Sequence, residues 1–298
     1  MMQSLLSRAA DGTLAVSDGL AIARVSKLDA TSVIGTDRAE FEVVTDGDRF
    51  RRLEVEWNAV YQAAAHAERG APPFQRFDRL KAWFDAYRDT AAGSLAIVVV
   101  RIDRRAVLIA PLMVTRSLGA RILSWMGEPA VQYGDVIADP ALSDPTLVRE
   151  ALQRAVRATN VDFVHLARVR DDSPVAAALE GGDFDVLARD RAPYLDLRGK
   201  AGAQAYEERY PSKARRNRRR LLRRLEQARD VTFTKLAPGP EAVRAARNAL
   251  AMKRAWLTHR GEVSPALLDD RMAAWFDRLA HAPGDATRIT EMRCGGEV

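Results

Sequence analysis

Cysteine is almost absent from this sequence. One residue, Cys294, serves 298 positions, so no internal disulfide can form and a reducing compartment suits the chain. Histidine is scarce as well. His66, His165, His259 and His281 are scattered without metal-ligand spacing, which argues against a zinc-type site. No run of about 18 apolar residues is present to cross a bilayer, and the first twenty residues lack a signal-peptide core. The expected compartment is cytoplasmic. Neither a Gly-x-Ser-x-Gly elbow nor a Walker-type loop occurs, which leaves serine-hydrolase and P-loop chemistry without their motifs.

What is present is the composition of an ordinary folded protein. With 47% hydrophobic and 29% charged residues, the chain can bury a sizeable core and suffices for about two domains. The net charge is +6, yet eight basic residues and no acidic one lie between Lys213 and Arg224. Removing those eight from the total leaves the remainder at −2. The basic character belongs to one segment, not to the whole surface.

Residues 1–38 show no sustained period and are expected to form a flexible leader. A strand is predicted at Glu40–Thr45. Apolar residues then recur at Phe50, Leu53, Trp57, Val60 and Ala64, a helical spacing with Asp48 as its cap. A second amphipathic helix carries Phe77, Leu80, Phe84 and Tyr87 beyond the Pro72-Pro73 break. Leu95–Val100, Ala106–Thr115 and Ala120–Met126 read as three consecutive strands. A helix over Thr146–Thr159, capped by Asp144, leads to a strand at Val161–Ala167 and a short helix at Pro174–Leu179. Strands at Phe184–Ala188 and Tyr194–Leu197 close this part. From Gly199 a second unit starts, with a helix over Tyr206–Asp230 and a strand at Val231–Leu236. Helices at Glu241–His259 and Pro265–His281 and a strand at Thr287–Met292 complete it.

The first run of elements is β-α-α-β-β-β-α-β-α-β-β, the order of the GNAT acyltransferase fold, and the second repeats its opening β-α-α-β. Six stretches carry a more specific likeness: Phe50–Tyr61 (FRRLEVEWNAVY), Phe74–Trp83 (FQRFDRLKAW), Leu95–Met113, Trp125–Val136 (WMGEPAVQYGDV), Ser212–Glu226 (SKARRNRRRLLRRLE) and Met252–Gly261 (MKRAWLTHRG). In order and spacing they resemble the CelD-like (cellulose-biosynthesis protein) acetyltransferases, tandem-GNAT proteins related to the Fem peptidyltransferases. The resemblance implies an α/β tandem GNAT-like fold. Residues 39–198 would form a first domain, 199–230 an arginine-rich linking helix, and 231–298 the opening part of a second domain. It further implies N-acyl transfer from acetyl-CoA or another acyl-CoA to an amine on a sugar or cell-envelope (exopolysaccharide) precursor.

Such an enzyme holds the coenzyme A pyrophosphate on free backbone N–H groups at a helix N-terminus. The corresponding stretch of the first domain, Asp139-Pro140-Ala141-Leu142-Ser143-Asp144-Pro145, has no glycine, two prolines without N–H, and acidic side chains. This domain is expected not to bind coenzyme A. In the second domain the equivalent loop would follow Val298, so the chain reads as C-terminally truncated and its transferase as inactive or incomplete: no cofactor-binding residue is assigned within it and tight acyl-CoA binding is not expected of it.

The stretch Gly127–Asp135 reads as a substrate wall. Tyr133 can stack on or hydrogen-bond a ligand, and Asp135 can orient or deprotonate an amine. Alternatively, Asp135 caps backbone N–H groups. Lys253 and Arg260, at i and i+7, either contact an anionic substrate or form a solvated face. Trp83, Trp256 and Trp275 sit on apolar helical faces and read as core.

Lys213, Arg215, Arg216, Arg218, Arg219, Arg220, Arg223 and Arg224 crowd three turns of helix. Four like-charged i,i+4 pairs arise, costing together about 1–2 kcal/mol. A stripe of Tyr210, Ala214, Asn217, Leu221, Leu225 and Ala228 is expected to dock the helix, with packing covering that cost. Arg215, Arg216 and Arg219 then wall a groove facing phosphates, or the helix is a solvated structural element, or it contacts nucleic acid or an anionic membrane. No aromatic residue interleaves between Tyr210 and Phe233 to stack single-stranded bases. The alternative to an enzyme is a non-catalytic anion- or RNA-binding module built on this helix.

Overall fold

A computed structural model describes residues 22–25, 38–67, 70–87, 93–131, 133–142, 145–170, 172–179, 184–186, 202–282 and 287–296. Contacts divide the chain into two units, Met1–Ala192 and Pro193–Val298.

The strands of the first unit are β1 (Ile22–Val25), β2 (Ala39–Val44), β3 (Ser94–Leu95), β4 (Ile97–Ile102), β5 (Arg105–Ala110), β6 (Leu112–Ser117), β7 (Ala120–Trp125), β8 (Ile137–Ala138), β9 (Phe163–His165) and β10 (Phe184–Val186). Its helices are α1 (Gly47–Arg52), α2 (Glu54–Ala65), α3 (Phe77–Tyr87), α4 (Pro145–Thr159) and α5 (Pro174–Leu179). The three-strand meander expected from the sequence is instead divided between two sheets. One runs β2-β4-β5-β8 and the other β10-β1-β9-β7-β6-β3. Pro111 is the physical reason. It has no N–H to give a ladder, so the apolar run Ala106–Thr115 breaks there and its halves join different sheets. Ala96 is the matching break on the preceding strand, and its N–H donates to the Leu112 carbonyl at 3.0 Å.

The stretch read as a leader contributes β1, which pairs antiparallel with both β9 and β10. Four residues are too few to show a period. Residues 1–21 and 26–37 lie outside the described residues, as do Asp144, expected as a cap, and the strand expected at Tyr194–Leu197. The first helical pattern is two helices, α1 and α2, meeting at Leu53. Its cap is Asp46, not Asp48: the Asp46 carboxylate accepts from the Arg49 N–H at 2.7 Å, and Asp48 sits inside the first turn.

Leu147, Val148, Ala151, Leu152, Ala155 and Val156 recur at helical spacing along α4 and bury it against β2, β4 and β5. Full burial of each leucine contributes about 1.5–3 kcal/mol. α2 covers β5 and β8, and rings of Phe50, Trp57, Phe77 and Phe84 meet there at centroid distances of 5.2 to 5.9 Å. Trp57 Nε1 donates to the Gln75 carbonyl at 2.8 Å, and Gln75 Nε2 donates to the Tyr133 carbonyl at 2.9 Å. That chain of bonds ties the loop after β7 to the helical layer.

The second unit comprises α6 (Gly202–Glu207), α7 (Ser212–Ala228), β11 (Val231–Leu236), α8 (Pro240–His259), α9 (Pro265–Leu268), α10 (Asp270–His281) and β12 (Ile289–Cys294). The helix predicted over Tyr206–Asp230 breaks before Pro211, and that over Pro265–His281 breaks at Asp269. The Asp269 carboxylate caps α10 by accepting from the Arg271 N–H at 2.9 Å. β11 and β12 pair antiparallel. Leu236 and Ile289, opposite one another, pack with Phe276 on Ala242, Ala246 and Ala280.

α7 buries the stripe expected to dock it only in part, with Tyr210, Ala214 and Leu225 half-buried and Asn217 and Leu221 exposed. Leu221 is 52% exposed and Leu222 44%. Alanine and asparagine supply too little apolar area at two of the stripe positions to hold the helix down.

Candidate functional site

β7 and β9 are the parallel pair of the larger sheet, with Ile122, Leu123 and Ser124 in register with Phe163, Val164 and His165. Register partners in a parallel pair leave the sheet on the same face, so Ser124 and His165 stand side by side. Met113 on β6 is the next partner of Ser124, and Leu95 on β3 is next to Met113; both are buried. After Trp125 the chain turns through Met126 and Gly127. Gly127 has φ +97°, and a Cβ there would meet Val131 at 2.4 Å. The next residue, Glu128, lies against His165: its Oε2 is 3.6 Å from Nδ1, with side-chain exposures of 15% and 22%.

The environment changes both groups. Burial raises the Glu128 carboxyl from the usual 4.5 to about 8, against the opposing pull of the Arg168 charge and the Ala167 N–H. Burial, reinforced by Arg168, lowers the His165 imidazole from 6.5 to about 4. At neutral pH the pair is a protonated acid beside an uncharged imidazole. His165 Nε2 and Ser124 Oγ are both buried and carry no hydrogen bond among the described residues. Unmade hydrogen bonds at enclosed polar atoms are costly, and two of them on one sheet face beside a titratable acid mark a polar site. A carboxyl that ionises near pH 8 is matched to exchange a proton with an amine, and an imidazole N–H can donate to a carbonyl oxygen.

Sequence reasoning reached Glu128 only as part of the wall Gly127–Asp135 and passed over His165 as one of four dispersed histidines. Thirty-odd residues separate them, and the parallel register alone brings them together. No spacing in the sequence reports that.

The residues singled out from the sequence lie elsewhere. Asp135 is buried, and its Oδ1 accepts from the Val136 N–H at 2.8 Å and from Ser173 Oγ at 2.7 Å. Ser173 Oγ in turn accepts from the Val175 N–H at 3.0 Å. These bonds hold the loop to the start of α5. Tyr133 is half-buried with its ring 6.1 Å from Phe74. Gly134 between them is in contact with the Trp125 indole, where a Cβ would come within 1.9 Å.

Lys253 and Arg260 converge on one aromatic ring: Lys253 Nζ lies 3.8 Å and the Arg260 guanidinium 4.8 Å from the Trp256 centroid. Arg260 also pairs with Glu262 at 2.7 Å. Trp256, expected in the core, is 45% exposed, whereas Trp83 and Trp275 are buried. Flanking cations let its ring remain at the surface. On α7, Arg216 lines an open groove of about 740 Å³ with Pro211, Lys213, Ala214, Asn217 and Arg220. Arg215 and Arg219 leave the helix on another side and do not line it. Arg218 covers the Tyr210 ring at 4.0 Å and pairs with Glu207 at 3.1 Å, while the Tyr206 and Tyr210 hydroxyls meet at 2.8 Å.

The stretch before α4 does not fit a pyrophosphate. Pro140 and Pro145 have no N–H to offer, and the Asp139 carboxylate is held by Arg105 at 2.9 Å and the Ala141 N–H at 3.0 Å. Among the described residues no three His, Cys, Asp or Glu side chains converge in a way that would hold a metal ion. No helix among them is long and apolar enough to cross a membrane.

Comparison with known proteins adds one match. Residues 212–298 match the family model described as an acetyltransferase (GNAT) domain, a stretch of less than a third of the chain. No curated protein matches the sequence. The mixed α/β architecture, with its several sheets, is consistent with a GNAT acyl-CoA N-acyltransferase-like fold.

Proposed function

We propose that this chain is an acyl-CoA-dependent N-acyltransferase in which Glu128 takes the proton of the acceptor amine and His165 donates a hydrogen bond from Nε2. The observation that carries the reaction class is the acetyltransferase-domain match over residues 212–298, which overlies the order α7-β11-α8-α9-α10-β12. The coenzyme A thioester supplies the activated acyl group. The reading requires coenzyme A to bind outside the stretch 139–145, whose prolines and carboxylates do not suit its pyrophosphate, and so departs from the expectation from the sequence that this chain holds acyl-CoA weakly. The roles of Glu128 and His165 rest on their enclosure, their 3.6 Å approach and their opposite shifts.

For the acceptor we assign a primary amine on a sugar or envelope precursor, the class implied by the CelD-like resemblance. The test is release of free coenzyme A thiol from acetyl-CoA, measured with amino sugars, their phosphates and nucleotide-linked forms, and lysine. Amine-dependent release supports the reading. No release with any amine, together with no heat of acetyl-CoA binding in calorimetry, contradicts it.

A further inference from the structure

Two features of α7 are left without a counterpart. The first is charge. Eight cations lie between Lys213 and Arg224, and Arg218 has Glu207 at 3.1 Å. Among the described residues the other seven have no carboxylate at ion-pair distance. The second is apolar surface. Leu221 and Leu222 are about half exposed and Leu225 half-buried. Burial of the stripe would have offset the repulsion among the arginines, and that burial is only partial. An aligned helix of 17 residues thus presents both uncovered leucines and unpaired cations to its surroundings.

Helical geometry sorts these groups. At 100° per residue, Leu221, Leu225 and Leu222 leave the helix within an arc of roughly 100°. Arg218 falls within that arc and is turned onto the Tyr210 ring and Glu207, Arg215 and Arg224 border the arc on its two sides, and Lys213, Arg216, Arg219, Arg220 and Arg223 occupy the opposite face. A nucleic-acid backbone would neutralise the arginines and leave the leucines in water. An anionic bilayer interface satisfies both: leucines enter the acyl boundary, bordering arginines meet lipid phosphates, and the outer face stays hydrated.

We infer that α7 is an interfacial helix that docks the protein on anionic phospholipid surfaces. This reading does not depend on the acyltransferase assignment. It asks for a peripheral contact and no spanning segment.

The experiment is co-sedimentation of the full chain with two kinds of phosphatidylcholine vesicle, one pure and one containing about 30 mol% phosphatidylglycerol. The expected result is binding at least about tenfold tighter to the phosphatidylglycerol vesicles, weakening between about 50 and 150 mM salt. The double variant Leu221→Ser/Leu222→Ser should lose roughly ten- to a hundredfold of that binding, as expected when the half of each leucine now exposed no longer enters the contact. Both side chains are exposed, so folding should survive, and circular dichroism checks this. The variant Arg219→Gln/Arg223→Gln should bind less tightly and with a shallower salt dependence. Equal binding to both vesicles overturns the inference. So does an unchanged affinity in the leucine variant, and a duplex RNA that outcompetes the vesicles without needing the leucines would assign α7 to nucleic acid instead.

Discussion

Replacing Glu128 by glutamine separates the pH dependence of the buried acid from everything else in the fold. The carboxyl moves from the usual 4.5 to about 8 in the folded chain, with burial the leading cause. A raised folded value means that the native state holds a proton the unfolded state releases. The stabilising contribution is therefore complete below pH 4.5, declines as pH rises, and is gone once pH passes about 8. At about 1.36 kcal/mol for each tenfold in proton affinity, the swing amounts to roughly 4–5 kcal/mol as a ceiling. Glutamine has the shape of the protonated acid and does not titrate. Wild type and Glu128→Gln should thus melt at similar temperatures near pH 4.5. Above pH 8 the variant should be the more stable, by up to roughly 8–20 °C at about 2–4 °C per kcal/mol for a unit of this size. His165 acts in the opposite direction, losing stability as pH falls from 6.5 towards about 4, and it is present in both proteins. Its contribution largely cancels in the difference. Differential scanning fluorimetry from pH 4.5 to 9 measures this. A difference that stays flat across the range would refute the burial argument.

Two further substitutions test the scaffold of the site. Gly134→Ala puts a Cβ within 1.9 Å of the Trp125 ring, and overpacking of this core residue should cost about 1–3 kcal/mol, read as a lowered melting temperature. Asp135→Ala leaves the Ser173 hydroxyl and the Val136 N–H without the acceptor they now share, a loss of about 2–3 kcal/mol, while Asp135→Asn keeps an acceptor oxygen and should lose much less. If Asp135→Asn melts like wild type yet abolishes acyl transfer, Asp135 is the base after all and the role given to Glu128 falls.

Much of the fold was legible because amphipathic spacing records which side of an element is buried. α4 and α10 follow this rule closely. Most strands were found, but not β1 or β8, nor the division into two sheets. Pro111 sits in a continuous apolar run, and a period of two does not tell which neighbour a strand will choose. Helix breaks at Leu53, Pro211 and Asp269 were missed for a similar reason, since the apolar period continues across each of them. The stripe on α7 shows the limit of periodicity most clearly. It reports that a helix is amphipathic and not whether anything covers it.

The site was less legible than the fold. Asp135 and Tyr133 drew notice as polar residues in a loop, and both are tied into packing by bonds that only a folded chain makes. Glu128 and His165 gained their character from burial where the end of β7 lies beside the end of β9, which arises from a parallel register set by distant parts of the chain. Lys253 lies on α8 and Arg260 caps its C-terminal end. Their meeting point on an exposed Trp256 was not foreseen, because an apolar ring at helical spacing normally signals a core position.

The central claim is that Glu128 handles the proton of an amine in acyl transfer. It is tested most directly by thiol release from acetyl-CoA with an accepted amine, measured from pH 6 to 9.5 for wild type and Glu128→Gln. The account predicts a wild-type rate that climbs through an apparent value of about 8 and a variant slower by roughly 10²-fold or more with that climb removed. A variant that matches wild type in rate and pH profile would contradict it.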